Sequence, residues 1–450
     1  MPSKKNILLI NPWIVDFTAY DFWLKPLGLL YVASLLRKHT NFRLSFIDCL
    51  DRNHPLFSKR LKTKPDGRGP FLKEEVSKPA ILKDVPRKYS RYGIPVSLFL
   101  HELRHVPSPD LGLLTCMMTY WYPGVQLVAE LLRERFGQVP VILGGVYATL
   151  MPDHARSDSG ANLVYQGPAE RGILPLIREV LGDSSCPDSQ FERLEEIPWP
   201  AVYLLRSQET LPILTSRGCL FKCSFCASPL LYKNFEQRTP SSVVSELEYH
   251  FQSHKTQNFA FYDDALLLGK SHHIIPLLKE ISQKELPLVF HTPNGLHVRE
   301  IDSEMAYLFK KANFQSLFLS QESFDEAVLE RARAKVSEDD LERALIHLER
   351  AGYDRQEINV YLIVGLPGQD ILKTKEDIFS VRRLGARPRL AYFSPIPGTG
   401  EWERLVDDGY ISPDADPLLH NKLIFPYLGK GVSVEDFESL KDLVSQAAIE

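Results

Sequence analysis

Cysteine is scarce in this chain, and charge of one sign is missing. Only 6 of 450 residues are cysteine, none follows Cys226, and the formal net charge is −4. With 53 Lys and Arg set against 57 Asp and Glu, no general basic surface is available, so no nucleic-acid partner is expected. No apolar run reaches the ~18 residues of a membrane-spanning helix, so no membrane is expected either. The apolar stretch after Met1-Pro2-Ser3-Lys4-Lys5 is too short for a signal peptide, and the expected location is cytoplasmic. Cys49, Cys116 and Cys186 lie far apart in sequence, which fits reduced thiols better than a disulfide framework. The lack of cysteine beyond Cys226 argues against a further cysteine-ligated cluster in the C-terminal half. At 450 residues, two or three domains are expected.

The other three cysteines crowd one stretch, Arg217-Gly218-Cys219-Leu220-Phe221-Lys222-Cys223-Ser224-Phe225-Cys226, directly after the apolar run Leu211 to Leu214. Three thiolates on a tight loop can hold three corners of a cubane iron–sulfur cluster. A structural zinc site would want a fourth Cys or His close by, and none follows. Buried cysteines clustered by chance seldom fall at ligand spacing on a Gly-flanked loop. Cys219, Cys223 and Cys226 are therefore the candidate metal ligands and the heart of the catalytic site, with the fourth iron open to an outside ligand.

On either side of this loop, strands alternate with helices. Before it, strands are expected at Lys5 to Asn11, Arg43 to Asp48, Leu111 to Thr115, Val139 to Gly144 and Asn162 to Gln166, with helices at Leu27 to Lys38 and Val125 to Phe136. This pattern predicts an α/β, doubly wound, Rossmann- or flavodoxin-like domain over 1–185, whose ligands would bind at the carboxyl ends of its strands. A segment over 58–92 carries eleven Lys/Arg against four Asp/Glu and is broken by Pro and Gly, which reads as an irregular, solvated insertion. A linker is expected over 186–205. Strands are then read at Leu211 to Ser216, Asn258 to Tyr262, Leu288 to His291, Ser316 to Ser320, Asn359 to Val364 and Arg389 to Phe393, with helices between them. Six such units predict an open, partial β/α barrel over 206–400, with catalytic residues at the strand ends. A short helical tail over 401–450 should include Val434 to Ala448. His272 and His273 open a predicted helix, while His101 and His105 lie one helical turn apart; both pairs read as surface histidines.

The Cys-x3-Cys-x-aromatic-Cys loop resembles the cluster loop of the radical SAM superfamily, and the strand ends repeat that family's motifs in order. Tyr262-Asp263-Asp264 stands where the family has the turn that takes the methionine amino group. Thr292-Pro293-Asn294-Gly295-Leu296 resembles its Pro-Asn-Gly-Leu. Ser320-Gln321-Glu322-Ser323 resembles Gly-x-Glu-Ser, with Gln321 replacing the usual hydrophobic residue. Gly365-Leu366-Pro367-Gly368 and Pro395-Ile396-Pro397-Gly398-Thr399 match Gly-x-Pro-Gly and Pro-x-Pro-Gly-Thr. In the first domain, Leu143-Gly144-Gly145 and Thr115-Cys116-Met117 resemble the cobalamin-binding domain that precedes many radical SAM domains. The Asp-x-His-x-x-Gly loop that would bring a histidine to cobalt is missing between Asn11 and Gly28.

The resemblance implies a [4Fe-4S] cluster and S-adenosylmethionine as cofactors, with cobalamin as a further one. S-adenosylmethionine contacts would come from Asp263, Asp264, Asn294, Ser320, Glu322, Gly365, Pro367, Gly368 and Pro395. Cobalamin contacts would come from Thr115, Met117, Gly144 and Gly145, with Trp13, Trp23, Trp121 or a water beneath the corrin and with Gly145→Leu blocking the channel of its nucleotide tail. The implied activity is reductive cleavage of S-adenosylmethionine to a 5′-deoxyadenosyl radical, served by a one-electron donor such as flavodoxin or ferredoxin. With cobalamin, a methyl group would pass to a small-molecule or peptide substrate. Two alternatives stand beside this reading: a cobalamin-independent rearrangement, cyclisation or oxidation, and a protein that holds the cluster for electron transfer or binding without turnover. Glu322 has its own alternative as a cap for the helix beginning near Asp325.

Overall fold

Four successive residues, Ile7 to Ile10, are at most 1% exposed and mark β1 (Asn6–Asn11) as a strand covered on both faces, as parallel sheets require. The computed structural model describes residues 4–57, 60–188, 191–331, 333, 336–424 and 433–446, and the chain divides into two units, Met1–Leu211 and Pro212–Glu450. In the first unit β1 pairs in parallel with β2 (Arg43–Asp48) on one side and β3 (Leu111–Cys116) on the other. Beyond β3 come β4 (Val141–Gly145) and β5 (Leu163–Val164), also parallel, giving the order β5-β4-β3-β1-β2. This is the flavodoxin-like doubly wound order, and its strand order reverses between β1 and β3. Its helices are α1 (Leu27–His39), α2 (Val96–His105), α3 (Tyr122–Phe136), α4 (Val146–Leu150), α5 (Pro152–Asp158) and α6 (Ile173–Leu181). Ile7, Leu9, Val32, Leu36, Leu113, Ile142 and Ile177 fill one core between sheet and helices.

The basic segment is more regular than its composition suggests. Gly69–Pro70 pairs with Tyr20–Asp21, and Ser90–Tyr92 pairs with both Ile14–Asp16 and Lys73–Glu75. Ser58 and Lys59 lie outside the described residues. Order here is imposed by a buried cation, Arg52, whose guanidinium donates to Asp21 Oδ2, Thr63 Oγ1 and the carbonyls of Lys62, Gly67 and Pro70. Trp23 donates to Asp66 O at 2.6 Å, and Arg68 lies over the Phe22 and Trp23 rings. A charge count cannot see such a hub, because the residue that organises the segment lies before it.

The second unit contains β6 (Thr210–Ile213, continuing from the first), β7 (Asn258–Phe261), β8 (Val289–His291), β9 (Leu296–His297), β10 (Phe314–Ser316), β11 (Phe318–Glu322), β12 (Asn359–Val364) and β13 (Arg387–Tyr392). They form two sheets, β6-β7-β8-β10 and β9-β11-β12-β13. The third expected strand is β8, and a further short strand, β9, follows it after Pro293; the fourth is broken at Leu317 into β10 and β11, so the third and fourth steps each serve both sheets. The result is a curved, open array of six β/α steps rather than a closed barrel. Its helices are α7 (Ser228–Leu231), α8 (Pro240–His254), α9 (Ile274–Gln283), α10 (Ser303–Lys311), α11 (Glu326–Arg331), α12 (Glu338–Arg350), α13 (Ile371–Arg383), α14 (Gly400–Asp407) and α15 (Val434–Gln446). Phe261, Phe290, Phe309 and Phe314 pack ring on ring at 4.8–5.5 Å in its core. The expected tail helix is described as far as Gln446, and its Phe437 ring sits 4.6 Å from that of Tyr392.

Candidate active site

The cysteine loop is fixed at its base before it reaches its first cysteine. After β6, Thr215 and Ser216 are fully buried, and their hydroxyls both donate to Asp263 Oδ1 at 2.6 Å. Thr215 N adds a third donor at 3.2 Å, and His273 Nε2 lies 2.8 Å from Thr215 Oγ1. Arg238, paired with buried Glu246, donates from its guanidinium to Leu214 O and from its backbone to Thr215 O. Gly218, at φ +82°, is required by the next turn, since a Cβ there would lie 2.6 Å from Asn234 O. Asp263 thus holds the loop from behind, at 2% exposure, and burial pushes its carboxyl up to about 6. This differs from its expected place among cofactor contacts. His273 differs too: it is 2% exposed and belongs to this anchor, not to the surface. Two hydroxyls placed directly after an apolar strand needed a partner, which was the available clue.

The three cysteines are half-buried on the loop that follows. Cys226 N donates to Cys223 O at 3.1 Å and closes the turn, while Phe221 N and Ser228 N donate to Cys219 Sγ and Cys226 Sγ. Burial pushes all three thiols up, Cys223 to about 12; the charge of Asp264 adds to this at Cys219 and Cys226, and that of Glu322 and of the neighbouring cysteines at Cys223 and Cys226. A positive group among them would reverse this, because bound metal favours thiolate.

Beside the loop opens a cavity of ≈ 360 Å³, with Phe225, Asn294, Ser320, Glu322, Tyr361 and Tyr392 in its wall. Glu322 combines two costs. It takes a left-handed backbone at φ +65°, and burial pushes its carboxyl up to about 7, offset only in part by a hydrogen bond with Ser320. Strain and burial at one carboxylate in a cleft mark a functional candidate. Helix α11 takes its capping contacts elsewhere: Ser323 Oγ accepts from Asp325 N and Asp325 Oδ1 from Ala327 N. The capping alternative for Glu322 thereby loses its helix. Gln321 points the other way, fully buried and donating to Ser323 O and Val336 O, as alternation along a strand demands.

Other expected contacts sort by position. Asn294 reaches back to Tyr262 O and Asp263 O, tying the end of β8 to that of β7. Asp264 accepts from Ser228 Oγ at 2.8 Å, beside the cysteine loop. Gly365, Pro367 and Gly368 form a turn at the end of β12 whose amides at Gly365 and Leu366 donate to buried Gln369 Oε1. Pro395 is buried, and its neighbours Ser394 and Ile396 line the cavity instead. Tyr361, Ile363, Tyr392 and Phe393 also line it and were not anticipated from sequence. The spacing of Tyr361 and Ile363 matches that of Ser320 and Glu322 on the paired strand, and this period of two was the overlooked signal.

In the first unit, Thr115 and Cys116 pair with Gly144 and Gly145 at the strand ends, and Met117 follows. The two glycines differ. A Cβ on Gly144 meets nothing within 4 Å, whereas on Gly145, at φ +94°, it would lie 2.7 Å from Cys116 O. Open space therefore lies at Gly144, and Gly145→Leu would break the turn rather than fill a channel. Trp13 and Trp23 are only 1% and 2% exposed and donate to Ile94 O and Asp66 O. Trp121 donates to Asp16 Oδ2. These indoles are fastened into the unit by their own hydrogen bonds. A separate cavity of ≈ 210 Å³ near the end of β2 is lined by Lys25, Asp48, His54, Glu102 and Arg206, with Arg206 paired to Asp51 and Glu102.

Residues 213–379 match the family model of the radical SAM superfamily. An uncharacterized methyltransferase of Synechocystis sp. is 28% identical over 201 residues, which is 42% of this chain but 37% of that protein. An uncharacterized methyltransferase of Pyrococcus horikoshii is 23% identical over 66% of this chain and 70% of its own length. Among solved structures, the radical S-adenosylmethionine methyltransferase TsrM from Kitasatospora setae, with tryptophan substrate and a SAM analogue bound, superposes with a TM-score of 0.66 at 16% identity. The match covers 94% of this chain and 83% of that one. A second structure of the same protein, with cobalamin and a [4Fe-4S] cluster bound, gives a TM-score of 0.64. The fold is that of TsrM, and over residues 213–379 this chain carries a radical SAM domain.

Proposed function

We propose that this protein is a radical SAM enzyme that holds a [4Fe-4S] cluster on Cys219, Cys223 and Cys226, binds S-adenosylmethionine beside it, and uses cobalamin in its first unit to methylate a small-molecule or peptide substrate. The observation that carries the reading is one of placement: a three-cysteine loop and the strained, half-buried carboxylate of Glu322 meet at the strand ends of one parallel β/α array. When bound, cluster and S-adenosylmethionine supply an adenosyl radical on reduction, and cobalamin supplies a carrier for the methyl group. The donor set suits the cluster by type and spacing, since three thiols follow one another on a single half-buried loop and Cys223 lies close enough to Cys219 and Cys226 to feel their charge. The amides of Phe221 and Ser228 stabilise negative charge on sulfur. Ionised Glu322 accepts from an ammonium or from ribose hydroxyls, while Phe225, Ile363 and Phe393 keep water from the wall around it. Gly144 leaves room for a flat or extended group at the end of β4. No histidine lies between Asn11 and Gly28, so that loop would bring no imidazole to cobalt.

The test is anaerobic reconstitution with iron, sulfide, S-adenosylmethionine and a one-electron donor such as flavodoxin or ferredoxin, with and without methylcobalamin. Expected products are 5′-deoxyadenosine and S-adenosylhomocysteine, the second depending on cobalamin. 5′-Deoxyadenosine with no S-adenosylhomocysteine, whether or not methylcobalamin is present, would shift the reading to rearrangement, cyclisation or oxidation. Neither product from a protein that holds iron and sulfide would overturn the enzyme reading.

A further inference from the structure

One buried ion pair in the second unit is used by none of the groups assigned above. Glu401, on the first turn of α14, is 0% exposed. Its Oε2 accepts from Arg331 Nη2 at 2.7 Å, and Arg331 Nη1 donates onward to Pro367 O at 2.7 Å. On its other side Oε1 accepts from Ser224 Oγ at 2.7 Å, while Glu401 N donates to Ser224 O at 2.9 Å. Ser224 lies between Cys223 and Phe225. Glu401 therefore grips the cysteine loop by main chain and side chain at once, and through Arg331 it grips the Gly365–Gly368 turn.

A fully buried carboxylate is costly even with its half-buried guanidinium partner, and an apolar pair of the same volume is often no less stable, so net stability does not account for it. Geometry does. A carboxylate with two directional oxygens and a planar guanidinium fix two segments against each other in a way that apolar packing cannot. Those segments are the one that carries the candidate cluster ligands and the one expected to contact S-adenosylmethionine. We propose that Glu401 and Arg331 are positioning residues that set the cysteine loop against the 365–368 turn, so that the affinity for S-adenosylmethionine depends on a side chain that does not line the cavity. This rests on the cluster and S-adenosylmethionine reading above.

The experiment uses full-length reconstituted protein, wild type against Glu401→Gln, Ser224→Ala and their combination. Iron content, melting temperature, S-adenosylmethionine affinity by anaerobic equilibrium dialysis, and the electron paramagnetic resonance of the reduced cluster with S-adenosylmethionine are measured. Ser224→Ala should retain wild-type iron and melting temperature but weaken affinity about threefold, less than a full charged hydrogen bond because Glu401 N still donates to Ser224 O. Glu401→Gln should weaken it about tenfold or more and broaden the resonance, a sign of uneven seating that global loosening at an unchanged melting temperature does not produce. The double variant should resemble Glu401→Gln alone, since both changes cut one connection. Wild-type affinity and lineshape in Ser224→Ala overturn the proposal even if Glu401→Gln fails to fold. A wild-type protein that holds no cluster would sink the underlying reading instead, and the proposal with it.

Discussion

The two units put their buried charge to different uses. In the first, Arg52 and Asp21 are both buried but face each other, with the rest of the guanidinium taken by carbonyls and a hydroxyl. In the second, Glu322 is half-buried in the cavity wall with only a hydroxyl for company, on a backbone that costs energy to hold. Satisfied buried charge fastens one piece of chain to another, while unsatisfied buried charge awaits something that is not protein. The same contrast separates Asp263 from Glu322 within one unit: both are pushed up by burial, but Asp263 has three donors from the loop base.

The largest effect expected from breaking this contrast is at the cysteines. Cys223→Ala should leave a folded protein without iron–sulfur absorption and without S-adenosylmethionine cleavage, because two thiolates do not retain a cubane. Cys116→Ala should keep both, since its thiol is buried against Met118 O and lies on the first unit's sheet. Next comes the satisfied pair. Arg52→Met takes the shared donor from Asp21 and four other acceptors, and chemical denaturation should register a loss on the order of 3–5 kcal/mol in the first unit, with the cluster's absorption unchanged.

Glu322→Gln should act in two opposite senses. Affinity for S-adenosylmethionine should fall by roughly 1.5–3 kcal/mol if a charged hydrogen bond is lost. The ligand-free protein, in contrast, should become more stable above neutrality. An acid whose folded-state value is raised from 4.5 to about 7 carries a penalty that begins above pH 4.5, grows up to about pH 7 and stays constant beyond it. The variant's gain in melting temperature should therefore be present at pH 8 and vanish below pH 4.5. In the wild type, affinity should drop as pH falls through 7, where Glu322 takes up its proton. A flat pH profile in both would return Glu322 to an ordinary buried acid.

The smallest effect on stability belongs to the first unit's glycines. Gly144→Leu should fold and melt near wild type but retain less cobalamin after reconstitution, since it fills open space. Gly145→Leu should lose stability whether or not cobalamin is offered, because its Cβ meets Cys116 O. Equal cobalamin retention in Gly144→Leu and wild type would move the pocket away from the end of β4.

Much of this arrangement was legible in the sequence because it is local. The β/α alternation, the cysteine spacing and the turn motifs at each strand end are written within a few residues, and hydrophobic period reports them directly. Less legible was whatever depends on a partner far along the chain. Asp263 looked like a ligand contact because Thr215 and Ser216, which occupy it, lie 47–48 residues upstream. His273 looked exposed for the same reason. The basic segment looked irregular because Arg52, which orders it, precedes it, and Glu401 carried no motif although it meets Ser224 across 177 residues. Gly144 and Gly145 are indistinguishable as letters and differ only in φ and in what surrounds them.

The most direct test of the central claim is the electron paramagnetic resonance spectrum of the reduced, reconstituted protein with and without S-adenosylmethionine. A cluster held by only Cys219, Cys223 and Cys226, its fourth iron open, predicts one cluster per chain whose g-values shift when S-adenosylmethionine is added, and no cluster signal at all in Cys223→Ala. A spectrum that S-adenosylmethionine leaves unchanged, or a cluster that survives in Cys223→Ala, would contradict it.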